Sequence, residues 1–163
     1  MQLSADLPTP LVPLAWLIGR WEGAGVVGYP TIESVNFGQE LELWHDGRPF
    51  LHYRSQTWLL DDEGQQVRPL ATEVGFWRPQ EGGELEVLLS HPTGYVEIYV
   101  GEVDGPRVDL RTDLVARTPT AKEYTAASRM YGLVEGDLMW VMDMAAMGQP
   151  MQSHASAQLK RVA

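Results

Sequence analysis

Four histidines are the side chains in this sequence best suited to ligating a metal, because there is no cysteine to supply a thiolate. His45 and His91 flank turns (HDG and HPTG) and are expected at turns or at a rim. His52, between Leu51 and Tyr53, fits a hydrogen-bonded polar group within a strand. His154 lies in GQPMQSHASAQLKR near the carboxyl end. No two of them form HxH or HExxH, so a multi-histidine zinc site has no local signature. No G-x-S-x-G, P-loop or paired carboxylates announce hydrolysis. GAGVVG (23–28) matches G-x-G-x-x-G literally, but a phosphate-cradling turn must open a helix. Here Tyr29-Pro30 follows, proline disfavours helical geometry before it, and no amphipathic helix comes after. The phosphate interpretation therefore fails.

One neutral imidazole is enough to hold a haem iron from one side, so His154 could ligate without a second histidine. Met130, Met139, Met142, Met144, Met147 and Met151 cluster before it, soft side chains suited to lining a cavity. Strand parity argues the other way. Ala155, Ala157 and Leu159 share one face, and His154 falls on the opposite one with Gln152, Ser156, Gln158 and Lys160. Either His154 faces water, or that face lines a partly polar cavity, or a bulge shifts the register. Lys122, at a loop-to-strand junction, is either a solvated charge or a cation placed for a ligand carboxylate.

The elements that must position these residues are strands. Turn signals (DGRP, DDEG, EGG, HPTG, DGP, RTPT, EGD, MGQP) separate runs of about 8–12 residues with period-two patterning. Leu85, Val87 and Leu89 share a face, as do Val96, Ile98 and Val100, and Leu138, Trp140, Met142 and Met144. About ten strands are expected, near 19–28, 34–44, 50–60, 67–79, 84–91, 95–103, 107–117, 123–134, 138–146 and 151–161. An open antiparallel sheet of that size exposes its edges, so closure into an up-and-down all-β barrel is expected, with room for a ligand. PLVPLAWLIG suggests a short helix plugging the barrel base, with Leu11, Leu14, Ala15 and Ile18 at helical spacing. Gly19, Trp21, Gly23 and Gly25 form G-x-W-x-G-x-G at the first strand, where Trp21 can close the base and the glycines allow close backbone approach.

Bulk properties narrow the functions. The 163 residues carry a net charge of −10, which disfavours nucleic acid and anionic membrane as partners. No stretch approaches the ~20 apolar residues of a membrane span. The start lacks the basic region and long apolar core of a leader, so the cytoplasm is the expected compartment. Nothing divides 1–163 into more than one domain.

GRWEGAG (19–25), GYPTI (28–32), GRPFLHYRSQT (47–57), ATEVGFWR (71–78), LSHPTGYVEIYVG (89–101), PTAKEYTA (119–126) and GQPMQSHASAQLKR (148–161) together cover nearly the whole chain. In that order and spacing the sequence resembles the nitrobindins, small haem-binding barrels similar to fatty-acid-binding proteins. The resemblance implies a ten-stranded barrel holding one haem b per chain at an open end. It implies His154 as the axial iron ligand, Thr31 as a haem contact and Lys122 as a partner for a propionate. It also implies nitric oxide binding at ferrous haem and isomerisation of peroxynitrite to nitrate at ferric haem, and barrels of this type can pair as homodimers. The alternative is a lipid or fatty-acid carrier without haem, for which Arg54, Arg78, Arg111 or Arg129 would meet a carboxylate.

Overall fold

In a computed structural model, which describes residues 6–163, the chain forms a closed ten-stranded antiparallel barrel. The strands are β1 (Gly19–Tyr29), β2 (Ile32–Trp44), β3 (Leu51–Leu60), β4 (Gln66–Pro79) and β5 (Glu84–His91), then β6 (Tyr95–Val103), β7 (Arg107–Arg117), β8 (Tyr124–Val134), β9 (Asp137–Ala146) and β10 (Gln152–Arg161). Each strand pairs with its sequence neighbour, and β1 pairs with β10 to close the circle. The expected strands agree with these to within two residues at either end. Closure removes the unpaired edges an open sheet would present.

A 3₁₀ helix, Thr9–Leu17, plugs one end. Pro8 and Pro13 suit a short irregular helix, and Leu11, Leu14 and Leu17 point into the barrel with no exposed surface. Each such leucine contributes about 1.5–3 kcal/mol on burial. Ile18, expected on the same face, instead lies in extended geometry just past the helix. Trp21 completes the plug. It is fully buried, its Nε1 donates to the Leu17 carbonyl at 3.0 Å, and the Arg161 guanidinium lies 4.2 Å from its ring centroid.

The glycines of the first strand serve close approach, as anticipated. A Cβ at Gly23 would collide with the Gln158 carbonyl oxygen and one at Gly25 with the Ser156 carbonyl oxygen, so β1 and β10 can lie this close only without side chains there.

One strand reverses the expected pattern. In β6 the regularly spaced Val96, Ile98 and Val100 face outward, while Glu97 and Tyr99 are buried. Trp44, His52, Phe76, Leu88, Ile98 and Leu114 are successive cross-strand neighbours from β2 to β7, so the apolar alternation of β6 marks an outer apolar row. The inner face of β6 is polar because it completes a buried ion cluster.

Candidate functional site

At the end of the barrel opposite the 3₁₀ helix, two strands lose their regular ladder at the same height. The β1–β10 pairing runs from Trp21↔Arg161 to Val27↔Ala155 and stops. On β10, Ser153 opposes Asp143 and Ala155 opposes Met142, which leaves His154 as the extra residue of a bulge. On β1 the register against β2 shifts between Val27 and Tyr29, around Gly28. The two irregularities meet: His154 Nδ1 lies 3.1 Å from the Gly28 carbonyl oxygen. A carbonyl can only accept, so Nδ1 carries the proton and Nε2 keeps its lone pair. That nitrogen has no hydrogen-bond partner among the described residues. The bulge settles the parity conflict, since Ala155 and Ala157 remain inside while His154 also turns toward the cavity.

Burial lowers the His154 pKa below its ordinary value, only partly offset by the bond to Gly28, so the neutral imidazole is favoured relative to one in water. Tyr29 braces it. Its ring meets the imidazole edge-on with centroids 5.7 Å apart. Its hydroxyl donates to the Met144 carbonyl at 3.0 Å and accepts from the Ala146 N–H at 3.0 Å, tying β1 to β9 across the interrupted ladder.

His154 lines two cavities. The mouth cavity, about 500 Å³, is also lined by Thr31, Lys122, Tyr95, Tyr124, Met144 and Met147. The three residues expected to act together from sequence therefore share one cavity wall. Thr31 is in the β1–β2 turn, and Lys122 precedes β8, exposed and without an ion pair among the described residues. Of the clustered methionines, Met142 lines the inner cavity and Met144 and Met147 the mouth, whereas Met139 and Met151 are exposed.

The inner cavity, about 290 Å³, lies deeper. Phe37, Leu70, Met142 and Ala155 supply its apolar wall. Its polar wall is self-satisfied: Trp140 Nε1 donates to Gln39 Oε1 at 2.8 Å and Gln39 Nε2 to Ser55 Oγ at 2.8 Å.

Beside it sits a cluster that strand patterning did not reveal. Arg129, 5% exposed, spends all five N–H donors. Nε donates to Tyr99 at 3.0 Å. Nη1 donates to Glu73 at 2.9 Å and to Tyr131 at 3.3 Å. Nη2 donates to Glu73 at 2.6 Å and to Glu97 at 3.3 Å. Tyr53 and Tyr124 donate to Glu73 and Glu97, each at 2.7 Å. His91, expected at a turn or rim, ends β5 with its side chain 6% exposed and its Nε2 2.7 Å from Glu97. Burial would raise the Glu73 pKa, but the Arg129 charge and its hydrogen bonds outweigh burial and hold it at about 2. Glu73, His91 and Glu97 bring potential ligand atoms within 4.8 Å of one another, yet Arg129 already bonds both carboxylates. The signal that could have found this cluster was the ionisable residue at an inward parity position in β6.

Of the four arginines considered for a ligand carboxylate, Arg54, Arg78 and Arg111 are exposed, and Arg129 alone faces inward. His52 behaves as expected of a strand polar group, bonding Asp46 at 2.9 Å and stacking on Trp44. His45 caps a turn through the Gly47 N–H.

Residues 10–161 match the family model described as "THAP4-like, heme-binding beta-barrel domain". The chain is 55% identical to a protein of Kineococcus radiotolerans named "Ferric nitrobindin-like protein", with 99% of this chain and 98% of that one aligned. It is 53% identical to a "Peroxynitrite isomerase" of a Nocardioides species, with 98% of each covered. Among solved structures it resembles the "Crystal Structure of Rv2717c from M. tuberculosis", with a TM-score of 0.88 and 38% identity over 97% of this chain and 100% of that one. The sequence match, the closed barrel and a mouth furnished with one free imidazole nitrogen agree, and this chain belongs to the THAP4-like, heme-binding β-barrel domain family.

Proposed function

We propose that the whole chain works as one domain that binds a single haem b at the barrel mouth and converts peroxynitrite to nitrate, with nitric oxide as a second ligand. The observation that carries it is the His154 imidazole, held through Nδ1 by Gly28, with Nε2 unpartnered among the described residues, beside a cavity rimmed by Lys122, whose ammonium has no ion pair among them. This donor set fits an amphipathic macrocycle with one axial ligand and anionic side arms.

In this assignment His154 Nε2 would hold the iron, while the Gly28 carbonyl fixes the tautomer and ring direction of the imidazole. Lys122 would pair with a propionate where water reaches it, and Thr31 lines the same cavity. Tyr29, Met144 and Ala146 line the same cavity and would keep bulk water from a bound macrocycle. When bound, ferric haem would supply the Lewis-acid and redox chemistry for isomerising peroxynitrite to nitrate. No proton donor is required of the protein, which agrees with a mouth cavity without a catalytic dyad. A fatty-acid carrier would need a free internal cation, and Arg129 is closed by Glu73 and Glu97.

Titrating the full chain with haemin tests the site. The expected result is a sharp Soret band at one haem per chain that is lost in His154→Ala. A spectrum indifferent to that substitution would overturn the assignment. Stopped-flow decay of peroxynitrite should accelerate in proportion to the ferric protein, beyond the rate with free haemin. The outer row from Trp44 to Leu114 is the face along which we place homodimer contact, and Phe76→Glu should shift a sedimentation profile to monomer. The compartment assigned to this activity is the cytoplasm.

A further inference from the structure

The buried cluster resembles, in its chemistry, a carboxylate-recognition site that is already occupied. Arg129 grips both oxygens of Glu73 in a fork, at 2.9 and 2.6 Å, and Tyr53 adds a third hydrogen bond at 2.7 Å. Two parallel N–H donors with a phenol is how a protein interior binds an incoming carboxylate. Here the carboxylate comes from the chain itself, on β4, and it lines the inner cavity together with Arg129, Tyr53 and Tyr131.

We infer that Glu73 is an internal surrogate ligand and the specificity-determining residue of the inner cavity, closing Arg129 to carboxylate guests and reserving that cavity for uncharged ones. The charge count is the reason. Glu73 and Glu97 set two negative charges against the one guanidinium, and the only other ionisable nitrogens against them among the described residues are those of His91, 3.7 Å from Glu73 and 2.7 Å from Glu97. A guest carboxylate would make three, with no donor left on Arg129 and the Trp140 indole N–H already given to Gln39. Burying such a charge without a partner is strongly unfavourable. What the cavity offers a guest is its apolar wall, Phe37, Leu70, Met142 and Ala155. Removing the Glu73 carboxyl inverts this. One carboxylate, Glu97, then faces the guanidinium, two N–H donors of Arg129 and the Tyr53 hydroxyl open to the cavity, and a guest carboxylate restores the original set of charges.

The inference goes beyond the haem assignment and its test needs no haem. Dodecanoate and dodecanol are titrated calorimetrically into the haem-free full-length chain and its variants. The expected result is that Glu73→Ala binds dodecanoate at least about tenfold more tightly than the unaltered chain, while dodecanol affinity changes far less. Adding Arg129→Met to Glu73→Ala should abolish the gain. Glu73→Gln, which keeps the volume and the Tyr53 acceptor, should show the same gain at smaller size, and it serves if the alanine variant does not fold. The inference is overturned if the unaltered chain binds dodecanoate as tightly as the variants, if neither variant gains, or if the gain survives loss of Arg129. His154 is untouched in all of these, so a negative result leaves the Soret test of the mouth standing.

Discussion

The two ends of the barrel are made from the same pair of strands, β1 and β10, and they do opposite things. At the base the ladder is unbroken, the strands approach so closely that Gly23 and Gly25 admit no side chain, and Trp21, Arg161 and the 3₁₀ helix fill the opening. Arg161 donates to the Trp16 and Ile18 carbonyls, so even the helix end is tied down. At the mouth the same ladder stops at Val27↔Ala155, and the residue that breaks it, His154, puts a polar ring where the base puts an apolar one. Continuous backbone pairing seals, and a paired interruption leaves a cavity. The Gly28 carbonyl at the gap is satisfied by the imidazole, so the break in the ladder also orients the His154 ring.

Deleting residue 154 is the sharpest way to break this contrast, because it would let β10 pair with β9 without a bulge and make the mouth resemble the base. Haem affinity measured by Soret titration should fall by more than about a hundredfold. The melting temperature of the haem-free chain should change by only a few degrees. Trp21→Ala attacks the other end. It should cost about 3–5 kcal/mol, a drop of roughly 10 °C by calorimetry, while the surviving folded protein still takes up haem.

A finer test is Tyr29→Phe, which keeps the ring beside His154 and removes the hydroxyl that spans β1 to β9. It should cost about 1 kcal/mol of stability and speed haem loss to apomyoglobin by a few-fold.

The smallest effect separates two groups by pH. The unfolded chain protonates His154 near 6.5 and the folded chain only at lower pH. This group therefore opposes folding as pH falls below 6.5 and is without effect above it. The Glu73 carboxyl has the opposite shift, from 4.5 down to about 2, so its contribution is complete above 4.5 and lost as pH falls toward 2. Denaturation of haem-free protein across pH should show the first slope flattened in His154→Ala and the second unchanged.

Most strands were legible because turn residues punctuate regular runs and closure follows from their number. The mouth was legible only in part. His154, Thr31 and Lys122 could be picked out through family resemblance, and they do share a cavity wall. Parity by itself left open whether His154 faced water, a partly polar cavity or a bulge, because the position of a one-residue bulge is invisible to period-two counting. The buried cluster was missed for a related reason. Patterning assumes that apolar residues mark the inside, and in β6 they mark the outside.

The sequence by itself determined that strands alternate, how many there are, where they turn, and that Trp21 among its glycines can close the base. These depend on local sterics and on the number of residues between turns. Only the tertiary structure decided which face of β6 looks inward, that His154 leaves the ladder to meet Gly28, and that Glu73 closes Arg129. Each of these pairs groups far apart in the chain, 126 residues in the case of Gly28 and His154 and 56 for Glu73 and Arg129, and no local pattern specifies a partner supplied by another strand.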